Sequence, residues 1–485
     1  MNGGRGREGI LWTAAEAMLA TGGRARGDWQ ATGISIDSRT VEPGDLFVAI
    51  QGPSFDGHDF VADAFRKGAA AAIVSRQPNH DVPEAKLLKV GDCLEALRAL
   101  GGAARSRTRA RIIAVTGSVG KTGTKEALRL ALGRQFYVFA NPGSLNNHWG
   151  LPLSLARLPH DVDFGVFEMG MNHPGEISPL TRLARPHVAL VTTVEPVHTE
   201  FFSSVEEIAD AKAEIFEGVA SNGAAVLNRD NPHFHRLAAA AERAGVSRIY
   251  SFGLHRDASV RALRTVFYPG GSEVTAALGS KTLKFRIGTP GRHWVSNAMA
   301  VLAAVWAAEG DIALAAAALG ELEAPKGRGR VYRVHTSEGS IDLIDESYNA
   351  SPVSMRAALE VLAQVEPRGY GRRIAVLGDM LELGPKSAEM HAGLAGALID
   401  GGIEKVFTAG ENMAHLWDLL PRDIRGGHAD NSAALVPVVL ANVQPGDVVM
   451  VKGSAGSRTG LIVEALRGLG DMGEAGDVAQ AGGRE

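Results

Sequence analysis

The sequence predicts an α/β protein of three domains in which short strands alternate with helices. Runs of β-branched apolar residues alternate with apolar residues at helical spacing, and polar residues gather directly after the predicted strands. A length of 485 residues is enough for about three domains of ordinary size. We expect a small N-terminal α/β domain over residues 1–109, a central domain with a mostly parallel sheet over 110–323 and a C-terminal, Rossmann-like doubly wound domain over 324–467. Residues 468–485 are predicted to be a disordered tail rich in glycine and acidic residues.

The composition argues against several classes of protein. A net charge of −4 gives no general attraction to nucleic acid or to an anionic membrane. Cys93 is the only cysteine, so no internal disulfide can form, which suits a reducing cytoplasm. No apolar run approaches the roughly 18 residues of a membrane span, and residues 10–20, interrupted by Glu16, are predicted to be an amphipathic helix instead of a signal peptide. We expect a monomeric, cytoplasmic protein without a nucleic-acid partner.

In the first domain, two strands are predicted at residues 34–39 and 46–50, followed by a helix over 60–68 and a strand over 69–74. The cluster Asp37-Ser38-Arg39 could bind a substrate or brace the end of its strand. Exposed Asp–Arg pairs are common and contribute little energy, so the residues alone favour bracing.

The basic stretch 105–111 contains no aromatic residues, which is untypical of a nucleic-acid site. It is therefore predicted to be a solvated linker that ends the first domain.

Residues 111–132 are the stretch around which the central domain is organised. The pattern predicts a strand over 111–115, a glycine loop over 116–120 and a helix over 121–132. Such a loop presents backbone N–H groups and a helix N-terminus to phosphate, Lys121 can reach the terminal phosphates, and the Thr122 hydroxyl can hold Mg²⁺. The central domain is therefore predicted to be a P-loop ATPase domain that binds ATP through Thr116, Gly117, Ser118, Val119, Gly120, Lys121 and Thr122.

This loop is shorter than the general P-loop pattern. The general pattern places a glycine where this chain has Val115, and the first glycine here is Gly117. The shortened form is typical of ATP-dependent amide-forming ligases and argues against GTPases. A chance Gly-Lys-Thr turn is the alternative, but the flanking strand and helix make it the weaker one.

Further polar residues follow the predicted strands of the central domain. Glu168 ends a strand over 163–167, where it could hold Mg²⁺ or cap the next turn. A strand over 188–193 leads to His198. Lys212 lies in a predicted helix over 206–218, and from the residues alone it is expected on a solvated face.

A glycine loop at 287–291 enters a helix that carries Asn297, followed by an alanine-rich helical stretch over 298–319. Asn297 could meet an adenine or hydrogen-bond to a neighbouring backbone group.

In the third domain, strands are predicted at residues 341–344, 373–377 and 448–451, with helices between them. This alternation predicts a doubly wound parallel sheet. No Gly-x-Gly-x-x-Gly follows the first strand, which argues against a dinucleotide cofactor.

Taken together, these residues resemble the Mur ligase family of peptidoglycan synthesis over nearly the whole chain. The shared marks are the loop 116–122, Glu168, His198, Lys212 and Arg330. More specific marks, typical of the MurF type of this family, lie at residues 55–60, 145–152, 345–350 and 377–384. The diaminopimelate signature of the MurE type is absent from the third domain.

The resemblance implies an ATP-dependent peptide ligase that joins D-alanyl-D-alanine to UDP-N-acetylmuramoyl-tripeptide through an acyl phosphate. The first domain would hold the UDP end of the precursor, the second would bind ATP, and the third would close over both and help to bind the dipeptide. Two Mg²⁺ ions are implied as cofactors.

The resemblance also assigns residue roles. Lys121, His198 and Lys212 would be catalytic, with Lys212 modified to a carbamate. Thr122 and Glu168 would hold one metal ion, and His198 with modified Lys212 the other. The ATP contacts would include Asn297, Arg330 and Asp345, and the substrate contacts would be Ser38, Arg39, Asn146, Asn147 and Asn349.

Three other interpretations stay open at this point. The chain could be another ligase of the superfamily, such as a folylpolyglutamate synthase or the MurE type, or a P-loop phosphotransferase or ATPase that uses no amine. It could also be a silent binding protein that kept the fold. The presence of Lys121, Glu168, His198 and Lys212 argues against the silent protein, which would be free to lose them.

Overall fold

The computed structural model describes residues 9–79, 82–197, 200–268 and 270–473. Within these residues, sheets of five, nine and seven strands follow one another along the chain, beside a two-stranded ribbon near the N-terminus. The predicted α/β class with mostly parallel sheets is confirmed. None of the described helices is long and apolar enough to cross a membrane. The domain boundaries stay a prediction.

The first sheet has the strand order β2-β7-β6-β5-β4, with β4 to β7 parallel. One apolar core lies around it and includes residues of two flanking helices, α1 and α3. The elements of this region are β1 (Trp12–Thr13), α1 (Ala14–Thr21), β2 (Arg24–Ala25), β3 (Gln30–Ala31), β4 (Gly33–Ser35), β5 (Asp45–Val48), α2 (Val61–Arg66), β6 (Ala71–Val74), β7 (Leu87–Lys89) and α3 (Cys93–Arg107).

Two predictions for this region are wrong in part. The strand expected over 34–39 ends at Ser35, because the Asp37 side chain accepts a hydrogen bond from the Arg39 backbone and starts a 3₁₀ turn. The stretch 105–111 is not a solvated linker, since α3 continues to Arg107. Arg105 is buried and donates to the carbonyls of Ala184 and Arg185 at 2.6 and 2.8 Å, where it satisfies the end of a later helix.

The nine-stranded sheet has the order β16-β15-β14-β13-β12-β11-β8-β10-β9, parallel from β9 to β14 and antiparallel at β15 and β16. Its elements are β8 (Arg111–Thr116), α4 (Lys121–Gly133), β9 (Val138–Ala140), α5 (Gly150–Ala156), β10 (Phe164–Glu168), α6 (Ile177–Ala184), β11 (Val188–Val191), α7 (Val205–Ala213), β12 (Ala224–Asn228), α8 (Phe234–Arg243), β13 (Arg248–Gly253), β14 (Val260–Tyr268), β15 (Gly271–Leu278), β16 (Lys281–Ile287), α9 (Arg292–Ala307) and α10 (Ile312–Ala318).

Strand β8 lies inside this sheet, between β10 and β11, and both of its faces are covered. Ile113 and Val115 pack with α4, α9 and α10, whereas Ile112 and Ala114 pack with α5 to α8 on the opposite face. This is why its sequence is a continuous apolar run and not an alternating one. The loop after β8 therefore starts from a strand that is fixed on all sides.

Three features of the central region differ from the sequence predictions. The antiparallel strands β14 to β16 were not predicted. The helix expected over 298–319 is broken between α9 and α10, because Asp311 caps a new helix by accepting from the Ala313 backbone at 2.8 Å. The helix expected over 206–218 ends at Ala213 and continues as a 3₁₀ turn.

The seven-stranded sheet has the order β21-β20-β19-β22-β18-β17-β23, and its strands from β21 to β18 are parallel. Separate apolar cores lie on its two faces, as expected for a doubly wound sheet. The elements are β17 (Arg330–Thr336), β18 (Gly339–Glu346), α11 (Pro352–Gln364), β19 (Arg373–Gly378), α12 (Ser387–Ala392), α13 (Ala395–Asp400), β20 (Lys405–Ala409), α14 (Met413–Trp417), β21 (Arg425–Ala429), α15 (Ser432–Leu440), β22 (Val448–Lys452), α16 (Gly460–Arg467) and β23 (Asp471–Gly473).

The disordered tail was predicted to begin at residue 468, and this boundary is too early. Strand β23 pairs antiparallel with β17, so the chain stays part of the sheet as far as Gly473. Residues 474–485 lie outside the described residues.

Candidate functional site

The loop between β8 and α4 has the backbone that a phosphate-binding loop needs. Gly117 and Gly120 have φ angles of 148° and 86°, a region that favours glycine. A Cβ atom on Gly117 would also lie 1.9 Å from Oγ1 of Thr192, so no side chain fits there. Gly120 precedes the first turn of α4, and within the described part of the chain no side chain caps that helix. The amino end of α4 can therefore face a phosphate.

The same loop is fastened to the residues that follow β11. The Ser118 backbone donates to the Thr193 carbonyl at 2.9 Å, and the Ser118 hydroxyl donates to the Glu195 carbonyl at 3.0 Å. Oγ1 of Thr192 donates to the Val119 carbonyl at 2.6 Å. These bonds fix the loop in one conformation before any ligand binds.

Glu168 brings the P-loop helix and a distant polar loop together. It is the last residue of β10, its side chain is fully buried, and in the strand register it lies opposite Val115 of β8. Oε2 of Glu168 accepts from the Thr122 hydroxyl at 2.8 Å, and Oε1 accepts from Nδ2 of Asn146 at 2.6 Å. A hydroxyl and a carboxylate are ligands that Mg²⁺ prefers, so Thr122 and Glu168 fit the predicted metal site.

Lys121 is the first residue of α4, and its ammonium turns back over the loop. Nζ donates to the Gly117 carbonyl at 2.7 Å. Burial lowers the pKa of Lys121 to about 8; the Glu168 carboxylate acts in the opposite direction, and the charge of Arg328 lowers the pKa further. A phosphate beside this ammonium would favour its charged form and raise that pKa.

Lys212 is buried, which contradicts the solvated face expected from the residues alone. Only 2% of its surface is exposed, and Ile208, one turn earlier on α7, is buried as well. Burial lowers the pKa of Lys212 well below its ordinary value, and the charge of Lys121 acts in the same direction. No hydrogen bond or ion pair joins its Nζ to another of the described residues. The chain therefore places an amine whose charged form is disfavoured by burial close to the P-loop lysine.

His198, the other predicted catalytic and metal-binding residue, lies outside the described residues. Within the described ranges, no group of three or more histidine, cysteine, aspartate or glutamate side chains is arranged to hold a metal ion. The predicted donor set is of a different kind, since it also uses a hydroxyl and a modified lysine.

A cavity of about 480 Å³ opens beside α4, between the central and third sheets. Thr122 lies in its wall, as does Arg330, a predicted ATP contact. Tyr348 lines the same cavity, and its hydroxyl contacts the hydroxyl of Ser144. A neighbouring cavity of about 430 Å³ is lined by Tyr348, Lys326 and Arg458. The two cavities therefore adjoin at Tyr348.

Asn297 lies against the P-loop. Its side chain is 7% exposed, and a Cβ atom on Gly120 would lie 2.9 Å from its Oδ1 atom. Trp294, one turn earlier on α9, packs against Gly123 of α4 in the same way. These contacts place Asn297 at the nucleotide loop, while its contact with adenine stays a prediction.

Three residues predicted to bind ligands have side chains that brace the local backbone. Asp345 is buried, and its carboxylate accepts from the Gly327 and Ser347 backbones at 2.9 and 3.1 Å and from the Ser347 hydroxyl at 2.6 Å. Oδ1 of Asn147 accepts from the Gly150 backbone at 2.9 Å, at the start of α5. Oδ1 of Asn349 accepts from the Ala350 backbone at 2.9 Å.

The cluster around Ser38 and Arg39 also braces its turn. Arg39 is 86% exposed in its side chain and forms an ion pair with Asp37, and its backbone carbonyl and that of Ser38 accept from Lys67. These contacts match the bracing role favoured by the residues alone. Substrate binding by Ser38 and Arg39 stays a prediction.

Sequence reasoning missed Lys125 and Thr192, and it included Tyr348 only as part of the family motif over residues 345–350. Lys125 is fully buried in α4, and its spacing to the buried Leu128 and Leu132 places it on the apolar face of that helix. This spacing is visible in the sequence and could have revealed it. The contacts of Thr192 and Tyr348 join separate parts of the chain, and no local pattern indicates them.

Three sequence models of the Mur ligase family match consecutive parts of the chain. They are described as the family's catalytic domain over residues 30–108, its middle domain over 115–305 and its glutamate ligase domain over 329–455.

Named relatives and solved structures cover almost the same length. UDP-N-acetylmuramoyl-tripeptide–D-alanyl-D-alanine ligase of Rickettsia prowazekii is 35% identical over 457 residues, covering 94% of this chain and 99% of the relative. The crystal structure of MurF from Acinetobacter baumannii is 28% identical, with a TM-score of 0.80 and coverage of 94% of this chain and 99% of that one. MurF of Thermotoga maritima in complex with ADP is 27% identical, with a TM-score of 0.72 and coverage of 90% and 97%.

The lowered pKa of Lys121 predicts proton uptake when ATP binds. Phosphate oxygens should raise this pKa from about 8, so at pH 8 binding should take up about half a proton. ATP affinity should accordingly weaken as the pH rises through 8. Calorimetric titration in buffers of different ionisation enthalpy measures this uptake. Equal uptake by Lys121→Ala would show that the proton goes elsewhere.

The contacts of Asp345 predict that Asp345→Ala destabilises the third region. The substitution leaves the buried backbone N–H of Gly327 and the partly buried N–H of Ser347 without their acceptor, which should cost about 3 kcal/mol. Thermal unfolding would reveal this, with Asp257→Ala at an exposed position as the control, expected within about 0.5 kcal/mol of the parent. An Asp345→Ala protein as stable as this control would contradict the bracing role.

Proposed function

The chain belongs to the Mur ligase family, and we propose that it joins D-alanyl-D-alanine to UDP-N-acetylmuramoyl-tripeptide, forming the UDP-muramoyl-pentapeptide of peptidoglycan synthesis. It is an ATP-dependent amide ligase. The observation that supports the proposal best is the contact of Thr122 and Asn146 with Glu168. It brings the phosphate end of the P-loop to the polar loop that the family resemblance assigns to the precursor.

A carboxylate is a poor electrophile, so the reaction first activates it by phosphorylation. A carboxylate oxygen of the tripeptide bonds to the terminal phosphorus of ATP while the bond to ADP breaks, which gives an acyl phosphate. The dipeptide amine then bonds to the carbonyl carbon and loses a proton, and the carbon–oxygen bond to phosphate breaks. Positioning and charge neutralisation supply most of the rate, so the fixed loop and the ammonium of Lys121 are central.

The described residues fit one of two proposed Mg²⁺ ions. Thr122 and Glu168 would hold this ion, since their oxygens are already 2.8 Å apart. His198 and modified Lys212 would hold the second. When bound, the ions neutralise phosphate charge and help to align the two reacting groups.

We propose that Lys212 carries a carbamate. Burial lowers the pKa of this amine and so favours its neutral form, whose nitrogen can bond to the carbon of CO₂ and release a proton. The product is an anionic oxygen ligand, which suits a hard cation. It also replaces the repulsion between two buried lysines, Lys121 and Lys212, with attraction.

The two adjoining cavities suit the two small substrates. The cavity walled by Thr122 and Arg330 is continuous with the P-loop helix and suits ATP. The neighbouring cavity is lined by Asp345, by Arg458 and by Lys326, which also lines the first cavity, and its two cations suit the carboxylate of the dipeptide. The contact between Ser144 and Tyr348 joins the central and third regions at this point, where closure over both substrates would act.

The remaining parts of the proposal concern assembly and location. We propose a monomer that acts in the cytoplasm. Cys93 is buried, and burial raises its pKa to about 11, which suits a residue kept as an inert thiol in a reducing compartment.

Substrate-gated ATP turnover is the first prediction of this function. ADP and phosphate should accumulate only when UDP-N-acetylmuramoyl-tripeptide and D-alanyl-D-alanine are both present, because the amine is needed to complete the reaction. A coupled ADP assay with each substrate omitted in turn measures this. Rapid ATP hydrolysis by the protein alone would favour an ATPase.

The carbamate predicts a chemical rescue. Lys212→Ala should lose most activity, about a hundredfold or more, because one anionic metal ligand disappears. Short carboxylic acids should restore part of it by filling the gap, and depletion of bicarbonate should weaken the parent while leaving the mutant unaffected. A Lys212→Ala enzyme as active as the parent would rule the carbamate out.

A further inference from the structure

Lys125 carries a buried ammonium, and the two carbonyls that accept from it lie outside its own helix. It has no exposed surface, and it follows Lys121 by one turn of α4. Its Nζ donates to the carbonyls of Asn141 and Gly143, both at 2.6 Å, and forms an ion pair with Glu126 at 3.0 Å. A buried ammonium is tolerated only when it is surrounded by such partners.

The carbonyls that Lys125 binds begin the polar loop over residues 141–149. Neither side-chain amide atom of Asn141 has a hydrogen-bond partner among the described residues, although Asn141 is only 1% exposed. The start of the loop is therefore fastened by Lys125 and not by the Asn141 side chain. Farther along, the Asn146 carbonyl accepts from the Gly170 backbone at 2.8 Å.

The loop returns to the helix from which Lys125 extends. Asn146 donates to Glu168, which accepts from Thr122, and Thr122 precedes Lys125 by three residues on the same face of α4. A closed ring of contacts thus runs from α4 through the loop to Glu168 and back to α4. Loss of the Lys125 contacts at one end of the loop is therefore expected to change the position of Asn146 and Glu168 as well.

We propose that Lys125 is a positioning residue for the metal site: it sets the loop so that Asn146 orients Glu168 toward Thr122. The inference rests on the proposed function, because it assigns the residue an effect on the ligase reaction. Lys125 forms hydrogen bonds with neither Thr122 nor Glu168, and it acts through Asn146. Partners that orient a metal ligand in this way commonly change metal affinity or activity 10- to 100-fold when removed.

Lys125→Met tests the inference, because it keeps an unbranched side chain and removes the ammonium. The Mg²⁺ concentration for half-maximal ligation should rise about tenfold or more, while the KM for D-alanyl-D-alanine stays within about twofold. Lys284→Met is the matched control, since Lys284 is exposed and pairs with Glu273 on the sheet edge. It should leave both quantities unchanged. Equal changes in both quantities for Lys125→Met would overturn the proposal.

A double-mutant cycle with Asn146→Ala separates positioning from general stabilisation. If Lys125 acts through Asn146, Lys125→Met should change the Mg²⁺ requirement less than about twofold further in the Asn146→Ala background. Fully additive effects would show that Lys125 does not act through Asn146. Where Lys125→Met does not fold, Lys125→Gln, which keeps an N–H donor, takes its place in the same cycle with the same criterion.

Hydrogen exchange tests the same fastening without using activity. The amides of Gly150 and Gly170, which donate to the Asn147 side chain and the Asn146 carbonyl of the loop, should exchange about tenfold faster in Lys125→Met or Lys125→Gln than in the parent, while those of β8 stay unchanged. Unchanged protection of these two amides would overturn the proposal. Absence of ligation by the parent would instead contradict the proposed function, so the two failures are distinguishable.

Discussion

The carboxylate of Glu168 accepts hydrogen bonds from Thr122 and Asn146, which are distant in sequence, and the site is arranged around these two contacts. A fully buried carboxylate is costly unless its oxygens are satisfied, so its partners are constrained as strongly as it is. The register of β10 against β8 sets the position of this carboxylate along the sheet. Glu168 lies opposite Val115, just before the phosphate loop begins. The P-loop, the polar loop and the sheet therefore form one rigid unit.

This arrangement follows from the way parallel sheets end. The carboxyl ends of β8, β10 and β11 lie at one edge, so the residues after each strand meet there. The Ser118 and Thr192 contacts fix the loop from one side, and Glu168 meets the start of its helix from the other. The third sheet adds Arg330 and Tyr348 across the cavity beside α4. Catalysis by charge neutralisation needs groups held in this way before the substrates bind.

Much of this site could be predicted from the sequence, for local reasons. The strand, loop and helix over residues 111–132 carry their own signals in apolar spacing and glycine positions, and the structure has them nearly at those bounds. The position of Glu168 follows from its place at the end of a parallel strand. The activity was predicted from the family motifs, because the chemistry of the residues alone was also compatible with an ATPase or with another ligase of the superfamily.

The rest depended on tertiary contacts that no local pattern encodes. Lys212 has the sequence of a solvated helix face, yet packing of α7 onto the sheet buries it. Arg105 looks like part of a basic linker, but the end of α6 needs donors for its carbonyls, and α3 supplies one. Asp345 accepts from three nearby donors that the sequence pattern does not indicate, and its contact with ATP stays a prediction. Arg105 and Asp345 thus pair with groups that the sequence pattern does not indicate, whereas Lys212 has no hydrogen-bond or ion-pair partner among the described residues.

The most direct test of this account measures the metal site at Glu168. Mn²⁺ replaces Mg²⁺ and is visible by electron paramagnetic resonance, so its affinity in the presence of ATP can be titrated for the parent and for Glu168→Gln. The substitution keeps the size of the side chain but removes its charge, and the account predicts loss of one site or an affinity lower by about tenfold or more. Mn²⁺ binding equal to that of the parent would contradict the central role of Glu168.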